Sequence, residues 1–161
     1  RLIEIFSEIR KINSDTQLLM VGFGGDDYED LVRRRAEELG ISREVRFLGV
    51  RDDVKKLLSA FDVFVFPSTY EGLPFTLIET QCNGLYTVAS TAVTPEVKLG
   101  ECVEFLNLDD SDATWAKKAL NLSRRSHNTD AFHWVIDGGY DIDTEAKKLR
   151  EYYLATIKRG E

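Results

Sequence analysis

Apolar residues fall along the chain into helical stripes and short continuous runs that take turns. Leu2, Ile5, Phe6, Ile9 and Ile12 recur at three- and four-residue spacing, so the chain opens inside an amphipathic helix, which Asn13, Ser14 and Asp15 end. Residues 18–21 read as a short strand stopped by Gly22, Phe23, Gly24 and Gly25. A second helix is expected over 26–39, with Asp26 and Asp27 at its positive end and Gly40 as its stop. Further strands are expected at 45–48, 63–66, 86–89 and 103–106, with a short helix over 52–58 and another after Pro74. Two or three helices close the chain, the last carrying Ile142, Ala146, Leu149, Tyr153 and Ile157 along one side.

Strands that are nearly all apolar and alternate with helices imply an α/β fold, a parallel sheet covered on both faces. Such sheets bind ligands at the carboxyl ends of their strands, near a switch in strand order. Three loops occupy those ends: 22–25, 49–52 and 68–73.

The third loop carries the densest chemistry, Tyr70-Glu71-Gly72-Leu73-Pro74-Phe75-Thr76-Leu77-Ile78-Glu79, directly after the run 61–68. Two carboxylates eight positions apart flank a Gly-Leu-Pro turn where a strand hands over to a helix. Pro74 suits the first turn of that helix, because it lacks only an N–H that would be orphaned anyway. Amides bared at the helix start, with the helix dipole behind them, favour an anion. Glu71 is then expected at the mouth of a cleft and Glu79 slightly deeper, inside the helix. The arrangement suits a ligand with phosphate in the middle and hydroxyls at both ends.

Composition narrows the classes. The chain of 161 residues, 43% hydrophobic and 30% charged, is one globular domain of ordinary size. A net charge of −7 argues against a nucleic-acid partner, and Arg33-Arg34-Arg35, followed by Glu37 and Glu38, reads as a solvated helix face. No apolar run approaches the ~20 residues that span a bilayer. Cys82 and Cys102 lack metal or redox spacing and read as buried free thiols of a reducing compartment. His127 and His133 lie outside the cleft loops without metal-ligand spacing, and Trp115 and Trp134 read as core. Gly22-Phe23-Gly24-Gly25 has two readings, a phosphate loop or a tight strand–helix turn. The dinucleotide fingerprint fails at Asp27.

The segment EGLPFTLIE, after FDVFVFPS and before QCNG, resembles the retaining glycosyltransferases of the large group 1 family, most of all the bacterial capsular and exopolysaccharide branch. LLMVGFG, VRFLGVRDDV, YTVAST, TPEV and the segment 141–153 fall where that family has their counterparts. The resemblance implies a Rossmann-like parallel sheet, the C-terminal half of a GT-B glycosyltransferase, with residues 1–161 as its nucleotide-sugar domain. It also implies that a first strand and an N-terminal acceptor domain belong to a longer parent. The family places an Arg and a Lys after that strand to hold the donor diphosphate, and Arg1 lies beyond that motif. By resemblance Glu79 binds the ribose hydroxyls, Glu71 is the catalytic-site carboxylate on the donor sugar, and Gly72, Leu73, Pro74 and Ser68 line the donor beside it. Gly22 and Gly24 line the cleft, and Val50 and Arg51 lie where the base is read. Arg51 either stacks on the base or is solvated. Two carboxylates on one strand–helix unit cannot easily flank a sugar ring as an acid/base pair does.

The reaction so implied needs no metal or other cofactor. Its donor is a nucleotide-sugar, and its acceptor is a saccharide or lipid-linked molecule held by the other domain. Location is expected to be cytoplasmic, with peripheral attachment of the parent to the inner membrane face allowed. The alternatives are a non-catalytic nucleotide-sugar-binding module and half of a sugar-nucleotide epimerase, the latter disfavoured by the lack of a His and acid constellation.

Overall fold

The computed structural model describes residues 1–22 and 24–159. Helices α1 (Leu2–Ile12), α2 (Asp26–Glu38), α3 (Val54–Ala60) and α4 (Phe75–Cys82) alternate with strands β1 (Leu18–Met20), β2 (Val45–Phe47) and β3 (Phe64–Phe66). Strands β4 (Thr87–Ser90) and β5 (Val103–Leu106) follow, then α5 (Asp112–Leu122), α6 (Ala131–Val135) and α7 (Ile142–Arg159). A 3-10 turn at Pro95–Val97 and a π turn at Ile136–Tyr140 complete the path. The first was not legible as an element. Its cap, Thr94, accepts from the Glu96 amide, with Pro95 opening the turn.

All strand pairs are parallel, as the alternating pattern implies. They form two separate ladders, β1 with β2 (Leu18 opposite Val45) and β3 with β4 with β5 (Phe64 opposite Thr87, Thr87 opposite Val103). Side chains alternate across each strand. Val63 and Val65 face a core built from Ile5, Phe6 and Ile9 of α1, Val32 and Ala36 of α2, and Trp115 and Ala119 of α5. Phe64 and Phe66 face a second core with Leu77 and Ile78 of α4, Val97 and Val135. Helices therefore cover both faces, and each large apolar side chain so buried is worth about 1.5–3 kcal/mol.

Trp115 is fully buried, and its indole donates to the Asn107 carbonyl at 3.0 Å. His127 bridges the Asn83 and Phe61 carbonyls at 3.1 and 2.8 Å, a packing role. Arg33 pairs with Glu29, and Arg35 with Glu4 and Glu38, so the basic run is largely a solvated ion-paired face. Helix α7 forms with its expected stripe, yet Ile142, Leu149, Tyr153 and Ile157 remain exposed. No helix among the described residues is long and apolar enough to cross a membrane.

The cysteines depart from expectation. Cys102 is buried, and desolvation pushes its thiol up to about 11, but Cys82 is exposed. The inward positions of α4 are Leu77, Ile78, Thr80 and Gln81, which turns the next residue outward. Iodoacetamide at neutral pH is expected to label one thiol per native chain, at Cys82, and two after denaturation, read by mass spectrometry.

Candidate functional site

Strand β3 is followed by Pro67, and Ser68 opens the loop to α4. The Ser68 hydroxyl donates to Glu71 Oε1 at 2.8 Å, while the Ser68 carbonyl accepts from the hydroxyl of Ser90, which is fully buried at the end of β4. Glu71 is thus held, half-buried, by a serine that the neighbouring strand itself fixes. Sequence reading missed Ser90, since a small polar residue at a strand end carries no pattern.

Pro74 caps α4 with an extended backbone (φ −74°, ψ 100°), and the helix begins directly after it, at Phe75. Among the described residues the amides of Gly72, Leu73, Phe75 and Thr76 make no hydrogen bond, so four donors stand open beside Glu71. Glu79 lies one turn into α4, exposed, on the side away from Leu77 and Ile78. The expectation that Glu79 lies deeper than Glu71 is therefore reversed, because the buried face of α4 leaves position 79 to solvent.

The other two loops meet each other. The Gly22 amide donates to the Gly49 carbonyl at 2.8 Å, extending the β1–β2 ladder past the strand ends. Gly22 (φ 114°) and Gly49 (φ 64°) both adopt backbone that side chains rarely tolerate. Phe23 lies outside the described residues. Gly22 and Gly24 line a cavity of about 320 Å³ with Met20, Val21, Tyr28 and Phe47. A methyl on Gly24 would approach the Tyr28 ring at 3.0 Å. Tyr28 is exposed and also lines the larger groove that reaches Ser68 and Glu71, so it joins the two loop regions. It too was missed, although an aromatic residue in the first turn after a glycine loop is a readable signal.

Val50 is 80% exposed and lines neither cavity. Arg51 is solvated but engaged, since its Nε and Nη2 each reach Asp53 at 2.8 Å. That pair holds the Asp53 carboxyl below the usual carboxylate range. Arg1 is tied to Asp112 at 2.9 Å and to the Asp110 carbonyl. The structure thus brings Ser68, Glu71 and the amides of Gly72 and Leu73 together, and joins the Gly22 and Gly49 turns. Glu79, Val50 and Arg51 line neither of the two cavities.

A strand end, a serine-held carboxylate and open amides at a helix start suit a polyhydroxylated anion. Comparison with known proteins gives this geometry its setting. A family model described as glycosyl transferases group 1 matches residues 1–125. The chain belongs to that family. It is 32% identical over 161 residues to EpsF of Bacillus subtilis, named as a glycosyltransferase, covering 98% of this chain and 41% of the relative. It is 34% identical over 158 residues to an α-1,3-galactosyltransferase of Escherichia coli acting on GlcNAc-diphosphoundecaprenol, covering 89% of this chain and 38% of that one. The chain therefore spans about two fifths of the length of these relatives. Among solved structures, HepE of Anabaena in complex with UDP superposes with a TM-score of 0.74 at 22% identity, covering 96% of this chain and 45% of that one. TarM superposes with a TM-score of 0.77 at 20% identity, covering 93% and 31%. The fold is that of a GT-B glycosyltransferase domain, α/β with a Rossmann-like parallel arrangement.

Proposed function

We propose that this chain is the donor-binding domain of a retaining glycosyltransferase, which passes a sugar from a nucleotide-sugar to a saccharide or lipid-linked acceptor held by another domain of a longer protein. The observation that carries the reading is the 68–79 unit, with Glu71 fixed by Ser68, open amides at Gly72, Leu73, Phe75 and Thr76, and Glu79 one turn along the helix. The amides and helix dipole would take the diphosphate. Glu71 would meet sugar hydroxyls, and Glu79 the ribose diol, for which a carboxylate is a good double acceptor. Gly22, Gly24, Val50 and Arg51 would bound the cleft, Arg51 by exchanging Asp53 for the base. Retention would come from front-face displacement, with the leaving diphosphate assisting the acceptor's deprotonation and fixed amides stabilising its charge, without a metal ion. UDP bound to HepE, and relatives named for polysaccharide biosynthesis and for transfer to a lipid-linked acceptor, support the choice of donor and acceptor class. A cytoplasmic site, with the parent resting on the inner membrane face, fits a lipid-linked acceptor.

A ligand at 100 times its dissociation constant stabilises a fold by about 2.7 kcal/mol. A thermal-shift screen of uridine, guanosine, thymidine and adenosine diphosphates and their sugars should therefore find at least one that raises Tm. Glu79→Ala is expected to weaken nucleoside diphosphate and nucleotide-sugar alike, by about 1.5–3 kcal/mol. Glu71→Ala should spare the diphosphate and weaken only the sugar-bearing donor. Calorimetry with both ligands on both variants separates the roles, and equal losses on plain diphosphate would remove the assignment.

A further inference from the structure

The loop from β3 to α4 has little backbone support. From residue 67 to residue 73, no amide or carbonyl finds a backbone partner among the described residues. Each hydrogen bond that this stretch does make there passes through Ser68. The Ser68 carbonyl accepts from the Ser90 hydroxyl. Its own hydroxyl is shared between Glu71 Oε1 at 2.8 Å and the Tyr70 carbonyl at 3.3 Å. The shorter bond, to a charged acceptor, takes the greater part of the one proton. Glu71 has no other partner among the described residues, so its orientation depends on that serine.

Ser90 anchors the arrangement. It closes β4, the strand paired on both sides, and lies opposite Leu106 of β5. It is fully buried. A buried hydroxyl needs a partner, and this one has the Ser68 carbonyl. With no exposed surface Ser90 can touch no ligand, so whatever it contributes to the site it contributes through Ser68. The connection runs from the middle strand of the ladder, through two hydroxyls, to one carboxylate.

We propose that Ser90 and Ser68 are positioning residues that set the Glu71 carboxylate, so that position 90, out of reach of any ligand, governs how well the site holds a hydroxylated ring. With Oε1 taken by Ser68, Oε2 is the oxygen left to accept from a ligand. The Ser68 oxygen, its proton committed to Glu71, can only accept as well. Together they offer neighbouring acceptors and no donor, which favours a ligand that brings two hydroxyl groups. Without the Ser90 bond, residues 67–73 lose their one hydrogen bond to the sheet, and these oxygens lose their fixed spacing. The open amides of Phe75 and Thr76 belong to α4 and stay in place for a phosphate. The effect on sugar rests on the proposed function, whereas the relay itself rests on the hydrogen bonds alone.

The relay is tested first without ligand, on the 161-residue chain with carbon-13-labelled glutamate side chains. NMR relaxation is expected to show the Glu71 side chain ordered in the parent and mobile in both Ser68→Ala and Ser90→Ala, with the exposed Glu79 unchanged throughout. Ser90→Cys keeps a side chain of similar size with only a weak donor. It should fall between the parent and Ser90→Ala, and it serves where alanine unfolds the chain. The consequence is then read by calorimetry with UDP, GDP, dTDP and ADP, each alone and as its glucose ester. For a pair that binds, Ser90→Ala is expected to cut the preference for the glucose ester over the plain diphosphate by about three- to tenfold. In a Glu71→Ala background the same substitution should leave that preference unchanged, because the route ends at Glu71. A Glu71 side chain as ordered in the Ser90 variants as in the parent overturns the proposal, and so does a Ser90→Ala effect that persists without Glu71. Where no glucose ester outbinds its diphosphate in the parent, the donor reading fails, and the ligand-free result alone decides the relay.

Discussion

Given a radiolabelled nucleotide-sugar and a membrane extract as acceptor, the 161-residue chain alone is expected to transfer no sugar, with Mg²⁺, Mn²⁺ or chelator present. On the proposed reading, transfer requires the acceptor hydroxyl beside the anomeric carbon, and such positioning can supply about 7–11 kcal/mol of a barrier. On that reading the open groups of the 68–79 unit are taken by the donor, and the acceptor would be held elsewhere. Stabilisation of the leaving diphosphate is also weak. Among the described residues the only cation lining the groove is Arg1, and Asp112 holds it at 2.9 Å. The open amides of Gly72, Leu73, Phe75 and Thr76 remain, which supports binding more than departure of the diphosphate. Slow donor hydrolysis is the most that is expected of it. The assay runs the chain beside the longer two-domain parent that this reading requires. Acceptor-dependent transfer by the chain alone would overturn the two-domain reading, and loss of the parent's activity under chelation would overturn the metal-independent one.

Much of this architecture was legible because buried parallel strands are continuous apolar runs. Val103–Leu106 falls where the pattern put it, and Thr87–Ser90 is displaced by one residue. The strand runs on to Ser90 because that residue still pairs with Leu106 of β5. The division into two ladders was not legible, since apolar runs tell which segments are strands and not which edges meet. The Glu71–Glu79 spacing pointed to a strand–helix unit, and the structure forms one there, from β3 to α4. Depth was misjudged because spacing alone does not say which side of α4 faces the core. Arg51 looked available from its loop position, and only its two bonds to Asp53 reveal that it is engaged. Buried polar side chains were the least visible of all, because a glutamine or serine reads as surface unless its partners are known.

Gln81 is the strongest instance, and Gln81→Leu is expected to destabilise the chain by about 3–5 kcal/mol. Two residues beyond Glu79 on α4, Gln81 is fully buried. Its Nε2 donates to the Leu77 and Val97 carbonyls at 2.9 and 2.7 Å, and its Oε1 accepts from the Leu99 and Gly100 amides at 3.0 and 3.3 Å. Both donors and both acceptor positions of the amide are therefore used. Leucine is close in volume, so little cavity forms, and the loss comes from the groups left behind. Two amides and the Val97 carbonyl lose their partner, at about 1–3 kcal/mol for each group left dry, lessened where water enters. Those groups belong to the 97–100 segment, where a methyl on Gly100 would run into the Trp134 ring, so the backbone cannot shift toward α6 to find new partners. Gln81→Glu gives an independent check on the cause. It keeps the acceptors for Leu99 and Gly100 but sets a carboxylate against the Leu77 and Val97 carbonyls, which together with burial raises the folded-state pKa. Stability of that variant should be best at low pH and fall as pH rises above the unfolded carboxyl's ordinary range. Urea unfolding of both variants at pH 5 and 8 reads the two effects. A Gln81→Leu loss below about 1 kcal/mol, or a Gln81→Glu variant with the parent's pH profile, would mean that the 97–100 segment is held to α4 by packing alone.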